Sequence, residues 1–329
     1  MAACTDCPRA CATRGPESYC GTSTPGRVFW RGVTVLEEHE IAPTYEIYFT
    51  GCSLRCRFCT VPDALDRPDE GAWTSPEALA RDLADPRHPP FRTVSLVGGD
   101  PTVNLPYVRA LVPALRRHVP HAELVLNTNL YVPPAGVAEL AAAFDWIVGD
   151  VHFFAPDCAG RLAGARDYPA TARAAAEAFL AAGSRLILRL LVLPGHLACC
   201  AAPTLEWAAG LRGDLRLHVM THYAPAGRAR GHAELGRTLS ADEVAEVARL
   251  TPPAVPRPAA AHAHPIARPP GLRDPEVPVE VAPDGTLLFP FVTGDLLPLV
   301  AELQPALADR LPAPRTDAPT DCPSSHHAR

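Results

Sequence analysis

TGCSLRCRFCT, residues 50 to 60, contains three cysteines at CxxxCxxC spacing, Cys52, Cys56 and Cys59, directly after the strand-like segment Tyr45 to Thr50. Three thiolates can hold three corners of a cubane iron-sulfur cluster, which leaves the fourth iron open to another ligand. An open iron allows a redox cluster to act on a bound molecule. The spacing therefore predicts a catalytic iron-sulfur loop, although three cysteines with a water or a histidine also suit zinc.

Strand-like and helix-like segments alternate over the first 250 residues. The strand candidates are Tyr45 to Thr50, Thr93 to Val97, Glu123 to Leu126, Asp145 to Val148, Arg185 to Leu193 and Asp214 to Met220. The helix candidates are Pro76 to Ala84, Leu105 to His118, Gly136 to Phe144, Ala170 to Ala182, Pro203 to Leu211 and Ser240 to Leu250. Six strand-helix pairs favour an α/β fold with a parallel, barrel-like sheet, whose chemistry lies at the C-terminal ends of its strands.

The pattern divides the chain into four regions. Residues 1-30 form a cysteine-rich N-terminal cap, 31-250 the barrel, 251-310 a Pro-rich linker with a small hairpin and helix, and 311-329 a disordered tail. The hairpin is expected within Val279 to Val292, turning at Pro283-Asp284-Gly285, and the helix from Asp295 to Arg310.

Composition argues against several classes of protein. The net charge of -6 comes without a basic block, so a nucleic-acid partner is not expected. Neither a secretory leader nor an apolar span of about 20 residues is present, which favours a cytoplasmic protein without a membrane partner. The 11 cysteines are bunched, which indicates metal binding rather than a disulfide framework.

Three features together resemble the radical S-adenosylmethionine (radical SAM) enzymes: the CxxxCxxC loop, Phe58 before its last cysteine, and Gly98-Gly99-Asp100 after the second strand. Further segments are similar to a branch related to the pyruvate formate-lyase activating enzymes, namely Cys4 to Cys11 with Tyr19-Cys20, Asp167-Tyr168-Pro169, Leu191 to Gly195 and His222 to Pro225. The likeness covers about two-thirds of the chain by the usual barrel length. It implies a partial (β/α)6 barrel of the radical SAM type, with the cysteine-rich cap and a C-terminal extension.

The resemblance also assigns cofactors. Cys52, Cys56 and Cys59 would ligate a [4Fe-4S] cluster whose open iron is chelated by S-adenosyl-L-methionine. An electron from an external donor such as a flavodoxin or ferredoxin would then allow cleavage of the sulfonium and hydrogen abstraction by a 5'-deoxyadenosyl radical. Phe58 would pack beside the adenine, or it would simply pack on the barrel mouth.

Other cofactor contacts are expected at later strand ends. Gly98 and Gly99 allow close backbone approach, and Asp100, where the family more often has Glu, could accept hydrogen bonds from the methionine ammonium. Asn127 and Asn129, with Thr128, suit the ribose or the sulfonium region, and an Asn-rich helix entry is the alternative.

Two charged residues complete this set. Asp150 resembles the aspartate of an Asp-x-Lys segment in the activating enzymes, with His152 in place of the lysine. Arg189, charged within an apolar strand, is expected to face a carboxylate. The resemblance makes it the carboxylate of the cofactor, and a structural ion pair in the barrel is the alternative.

The cap poses a separate question. Cys4, Cys7, Cys11 and Cys20 could close a zinc site or hold a second iron-sulfur cluster. Cys158, Cys199, Cys200 and Cys322 lack comparable spacing, and the sequence indicates incidental cysteines there.

These expectations favour a radical SAM oxidoreductase, with a glycyl-radical-enzyme activase as the specific version. Two alternatives stay open. One is a radical SAM maturase acting on a peptide or small metabolite, and the other is a non-catalytic iron-sulfur or zinc protein.

Overall fold

An eight-stranded sheet forms the centre of the fold. The computed structural model describes residues 4, 6–12, 15, 17–34, 37–251, 280–281 and 287–288. Its residues fall into two compact units, Met1–Pro278 and Val279–Arg329. The sheet belongs to the first unit.

Six strands of this sheet are parallel neighbours in chain order, and they are the six that the sequence predicts. They are β2 (Thr44–Phe49), β4 (Thr93–Gly98), β5 (Glu123–Thr128), β6 (Trp146–Asp150), β7 (Arg185–Leu191) and β8 (Leu215–Met220). Two further strands, β1 (Arg27–Thr34) and β3 (Ala72–Trp73), extend the sheet antiparallel beyond β2. The strand order β3-β1-β2-β4-β5-β6-β7-β8 is open, so the expected α/β partial barrel is confirmed.

Eight helices lie in the described part of the first unit. They are α1 (Asp63–Asp66), α2 (Pro76–Leu83), α3 (Leu105–His118), α4 (Pro134–Ala143), α5 (Pro156–Ala163), α6 (Tyr168–Ala181), α7 (Ala202–Gly210) and α8 (Ala241–Leu250). Ser240 starts α8 with a capping box that it shares with Glu243. Helices α1 and α5, like β1 and β3, were not predicted.

The two faces of the sheet have separate apolar cores. Strand residues such as Leu96, Leu126 and Leu188 pack with the helices in one large cluster. Residues of the opposite face pack in a small cluster that consists of Ile41, Val125, Trp146, Val148 and Ile187. Ile41 belongs to the segment between β1 and β2 and is fully buried, so this segment covers the inner face of the barrel.

The parallel register brings the C-terminal ends of the strands to one edge. Phe49 pairs with Gly98, Thr128 with Gly149, and Asp150 with Arg189. The residues that follow these ends therefore meet at a single mouth, where the sequence predicts the chemistry.

The expected boundary between cap and barrel, at residue 30, falls inside β1, which begins at Arg27. The second unit contains the predicted hairpin as β9 (Glu280–Val281) and β10 (Leu287–Leu288), with Leu287 opposite Val281. Residues 252–279, the predicted helix Asp295 to Arg310 and the tail 311-329 lie outside the described residues. No helix in the described part of the chain is both long and apolar enough to cross a membrane.

Candidate metal and cofactor site

The three predicted ligand cysteines lie in the loop between β2 and α1. Cys52 and Cys56 are buried and Cys59 is half-buried. The backbone N–H groups of Arg55 and Arg57 donate to the carbonyls of Ala163 (3.0 Å) and Leu162 (2.8 Å) at the end of α5. The loop is thus fixed at the barrel mouth, with its thiols directed away from water.

The chemistry of these thiols suits a metal. Burial raises the pKa of Cys52, Cys56 and Cys59 above the ordinary value, and the charge of Asp100 adds to the rise at Cys52. A buried thiol keeps its proton unless a bound cation replaces it. Sγ of Cys52 also accepts hydrogen bonds from the backbone N–H of Leu54 (3.4 Å) and from Nδ2 of Asn129 (3.5 Å), which favour the thiolate.

The three thiols of the loop lie close enough for their charges to interact. The charges of Cys52 and Cys59 add to the rise in the pKa of Cys56, and the charge of Cys59 adds to the rise at Cys52. Within the described residues, a separate group, Cys158, His196, Cys199 and Cys200, brings four ligand atoms within 4.8 Å of one another.

The two glycines after β4 allow the cysteine loop to approach. A Cβ on Gly98 would collide with the backbone of Phe49, and one on Gly99 would lie 2.7 Å from the carbonyl carbon of Gly51. The N–H of Gly99 donates to Phe49 (2.9 Å) and the N–H of Asp100 to Gly51 (2.8 Å). Close backbone approach is therefore observed, and it fixes the residue that precedes Cys52.

Asp100 is fully buried and its carboxylate is bonded to protein groups. Oδ1 accepts from the backbone N–H (2.8 Å) and the hydroxyl (2.6 Å) of Thr102, and Oδ2 accepts from the Thr128 hydroxyl (3.0 Å) and the Asn129 N–H (2.9 Å). The carboxylate joins the ends of β4 and β5. The contact with the cofactor ammonium that the resemblance implies stays a prediction.

Asn127 and Asn129 have different surroundings. Asn127 lies within β5 and is buried, and no hydrogen bond of its side chain to another described residue is observed. Asn129 follows β5, where its Nδ2 also lies 3.1 Å from Oγ of Ser53 and its Oδ1 accepts from the N–H of Tyr131 (2.8 Å). Helix α4 begins only at Pro134, so the alternative of a helix entry does not describe Asn129.

Phe58 packs at the barrel mouth, as the alternative for this residue expected. Its ring meets His152 edge-on at a centroid distance of 5.2 Å and Phe153 at 5.8 Å. Burial lowers the pKa of His152 to about 4, so the imidazole that replaces the expected lysine is neutral near pH 7. The hydroxyl of Tyr168 donates to the carbonyl of Asp150 (2.8 Å) and accepts from the N–H of His152 (3.1 Å), which fixes the end of β6.

Arg189 forms ion pairs with two carboxylates of the protein itself. Its Nε lies 2.5 Å from Oε1 of Glu38 and its Nη2 lies 2.6 Å from Oε2, and Nη2 also pairs with Glu37. All three side chains are buried. The structural ion pair, the alternative for this residue, is therefore what the structure contains, in place of an arginine free to meet the cofactor carboxylate.

The cap brings its four cysteines together. Burial raises the pKa of the Cys7 thiol to about 11, and the nearby charges of Cys20, Cys11 and Cys4 add to the rise. The cap also contacts the cysteine loop, because Nε of Arg9 donates to the carbonyl of Ser53 (3.0 Å). Arg55 of the cysteine loop donates to the carbonyl of Tyr19 in the cap.

Comparison with known proteins agrees with this geometry. The family model described as the radical SAM superfamily matches residues 47–208. An uncharacterised protein of Methanocaldococcus jannaschii, MJ0674, is 26% identical over 220 residues, which cover 65% of this chain and 63% of that protein. The 7-carboxy-7-deazaguanine synthase of Methanothermobacter thermautotrophicus is 29% identical over 105 residues, 32% of this chain and 40% of that enzyme.

Among solved structures, SuiB of Streptococcus suis bound to the precursor peptide SuiA superposes with a TM-score of 0.45 and 18% identity, over 62% of this chain and 43% of SuiB. The chain thus spans less than two-thirds of these relatives. Its cysteine loop lies inside the matched region. The chain is therefore similar to the radical SAM superfamily over just under half of its length, and this similarity implies a [4Fe-4S] cluster and S-adenosylmethionine as cofactors.

Proposed function

We propose that this chain is a radical SAM oxidoreductase in which Cys52, Cys56 and Cys59 hold the [4Fe-4S] cluster. The observation that carries the proposal is the three-cysteine loop at the mouth of the partial barrel, where Cys52 and Cys56 are buried and the sulfur of Cys52 accepts two N–H hydrogen bonds. When bound, the cluster and S-adenosylmethionine supply a 5'-deoxyadenosyl radical for hydrogen abstraction.

In this proposal, the other residues of the site hold the cysteine loop in place, contact the cofactor and keep water out. Gly98, Gly99 and Asp100 fix the base of the loop, and Asn129 orients and stabilises the Cys52 thiolate. Asn127 is a buried polar group on the inner face that would suit the ribose or the sulfonium region. Phe58 and Phe153 keep water from the mouth.

The narrower proposal is that the abstracted hydrogen belongs to a backbone glycine of a partner protein, as in the activating enzymes. It is supported by the sequence likeness of the cap and of the segments at Asp167 and Leu191. An external electron donor such as a flavodoxin or ferredoxin is part of this proposal, since the cluster must be reduced before each cleavage.

The test is anaerobic reconstitution with iron and sulfide, followed by dithionite and S-adenosylmethionine. The unaltered protein is expected to form 5'-deoxyadenosine and methionine, and Cys56→Ala is expected to form neither. Cys322→Ala is the matched control, because this cysteine lies far outside the CxxxCxxC loop in the sequence. Equal output from the unaltered protein and Cys56→Ala would remove Cys56 from the site. A brown protein without 5'-deoxyadenosine would support a non-catalytic iron-sulfur protein instead.

A second assay addresses the substrate. The reconstituted protein, incubated with a candidate glycyl-radical enzyme, is expected to give a glycyl radical signal in electron paramagnetic resonance. A modified peptide or metabolite in the absence of that signal would favour a maturase.

A further inference from the structure

A second group of metal-ligand side chains lies near the barrel mouth, outside the loop of Cys52, Cys56 and Cys59. Cys158 comes from α5, while His196, Cys199 and Cys200 follow β7. Their four ligand atoms all lie within 4.8 Å of one another. We propose that Cys158, His196, Cys199 and Cys200 bind one zinc ion in a closed, structural site.

The interatomic distances match those of a single coordination sphere. Sγ of Cys158 lies 3.8 Å from Sγ of Cys199, and Sγ of Cys199 lies 3.4 Å from Nδ1 of His196. In a zinc tetrahedron with the usual bond lengths, two sulfurs lie about 3.8 Å apart and a sulfur and a nitrogen about 3.6 Å apart. A disulfide would bring the two sulfurs to about 2.05 Å. The group is therefore spaced for an ion between its members.

The histidine is oriented by an acidic partner. Nε2 of His196 lies 3.2 Å from Oε2 of Glu234, and Glu234 is paired in turn with Arg161. Histidines that bind metals usually donate their second ring N–H to a carboxylate or carbonyl, which fixes the tautomer. The contact with Glu234 leaves Nδ1, the nitrogen beside Cys199, with its lone pair available for a metal.

Local backbone structure brings the three ligands after β7 to one side. His196, Cys199 and Cys200 stand at i, i+3 and i+4, which share a helix face. The turn Leu197–Ala201 is π-helical, and the N–H groups of Cys200 (3.0 Å) and Ala201 (3.1 Å) both donate to the carbonyl of His196. Single π turns are frequent at functional sites.

The charges around the four ligands also bear on the binding of a cation. The guanidinium of Arg161 lies close enough to Cys158 for their charges to interact, and a nearby positive charge favours a thiolate. Three thiolates and one Zn²⁺ leave a net charge of about -1, next to the ion pair of Arg161 and Glu234.

The position of the ion defines its role. Cys158, Cys200 and His196 are 6%, 3% and 5% exposed, and four protein ligands leave no coordination position for water, as in structural zinc sites. The ion would join the segment after β6 to the segment after β7. The ring of His196 contacts Phe153 at a centroid distance of 6.3 Å, and Phe153 packs on Phe58 of the cysteine loop. Zinc therefore stiffens one wall of the mouth without touching the iron-sulfur ligands.

The experiment isolates this site within the full chain. The background protein carries Cys4→Ser, Cys7→Ser and Cys56→Ala, which remove the other two cysteine groups as metal sites. Its zinc content is measured by elemental analysis and native mass spectrometry, and Co²⁺ replaces the zinc for absorption spectroscopy. We expect one equivalent of zinc and, with Co²⁺, a tetrahedral spectrum with thiolate charge transfer. Neither S-adenosylmethionine nor dithionite is present, so the result is independent of the proposed activity.

Variants in this background assign the ligands. Cys158→Ser and Cys199→Ser are expected to lose the ion, and Cys322→Ser to retain it. Glu234→Gln is expected to keep the tetrahedral spectrum while the affinity for zinc falls about 10- to 100-fold, the usual effect of losing such a partner. If a cysteine variant does not fold, a chelator titration of the unchanged background replaces it, with alkylation of Cys158, Cys199 and Cys200 expected only as zinc leaves.

Three results would overturn the proposal. One is a background protein that holds no zinc and takes up no Co²⁺. Another is a disulfide between Cys158 and Cys199 in anaerobically purified material. The third is iron with sulfide in place of zinc at these residues.

Discussion

Nδ2 of Asn129 lies 3.5 Å from Sγ of Cys52, so the residue after β5 donates toward a cluster ligand. The backbone of Asn129 is fixed by Asp100, which lies at the end of β4. Hydrogen bonds to the sulfurs of an iron-sulfur cluster help to set its reduction potential, because they stabilise the more negative reduced state. The ends of β4 and β5 thereby position one hydrogen-bond donor at the sulfur of Cys52.

Replacing this donor should make the cluster harder to reduce. We expect Asn129→Ala to shift the midpoint potential to a more negative value and to slow 5'-deoxyadenosine formation about 10- to 100-fold. An anaerobic redox titration followed by electron paramagnetic resonance measures the potential. Ser53→Ala is the matched control, since it removes the other contact of the same amide and leaves Cys52 bonded. Equal potentials for the two variants would contradict this role of Asn129.

Asp100 should stabilise the protein even without cofactors. In Asp100→Asn an NH₂ group can replace Oδ2, where it faces the donors of Thr128 and Asn129. We expect the free energy of unfolding, measured in urea on the cluster-free protein, to fall by about 1–3 kcal/mol. Asp66→Asn, at an exposed carboxylate paired with Arg228, should cost about 0–1 kcal/mol. A purely cofactor-binding Asp100 would leave the cluster-free protein unchanged.

Gly99 should be intolerant of a methyl group. Because its Cβ would lie 2.7 Å from the carbonyl carbon of Gly51, Gly99→Ala must displace the loop that carries Cys52. We expect a loss of about 1–3 kcal/mol in unfolding free energy and a lower iron content after reconstitution. Gly210→Ala is the control, since no atom lies within 4 Å of its Cβ, and it should be neutral or stabilising by up to about 1 kcal/mol. Full iron loading of Gly99→Ala would show that the loop tolerates the shift.

The sequence was sufficient for the six parallel strands and for the position of the cysteine loop, because buried parallel strands are continuous apolar runs between turn residues. It did not predict β1 or α5. Strand β1 is mostly half-buried and contains a β-bulge between Val28 and Trp30, so its residues do not alternate cleanly. Helix α5 has eight residues, including Gly160 and a cysteine, so its apolar pattern repeats over too few turns to predict a helix.

Contacts between distant segments were the harder part. The partners of Arg189 are Glu37 and Glu38, more than 150 residues earlier in the chain, and nothing in the spacing connects them. The group of Cys158, His196, Cys199 and Cys200 was missed for the same reason, since its members come from α5 and from the segment after β7, which are brought together only by the fold. The Cys-Cys pair three residues after His196 was the signal available in the sequence.

Arg189 should be a structural residue. Arg189→Met would remove the guanidinium that pairs with two buried carboxylates, and we expect the free energy of unfolding to fall by about 3–5 kcal/mol. Glu37→Gln with Glu38→Gln in the same chain should recover part of that loss, since the uncompensated charges are gone. Arg109→Met, which breaks the exposed pair with Glu139, should cost at most about 1 kcal/mol. A stable Arg189→Met protein with weakened S-adenosylmethionine binding would instead support a cofactor contact.

Glu46 should make stability fall with rising pH. Burial, and then the charge of Glu37, raises the pKa of Glu46 well above its ordinary value, and its Oε1 has no hydrogen-bond partner in the described structure. The folded state therefore keeps a proton that the unfolded state releases, so the contribution to stability is complete below the unfolded pKa and is lost as the pH rises toward the folded pKa. Guanidinium unfolding from about pH 5 to about pH 8 should show this decline, and Glu46→Gln should flatten it. Glu139→Gln is the control: hydrogen bonding to Arg109 lowers the pKa of Glu139 from its ordinary value of 4.5, so its contribution changes only at lower pH and the slope over this pH range should not change. An unchanged slope in Glu46→Gln would assign the decline to another group.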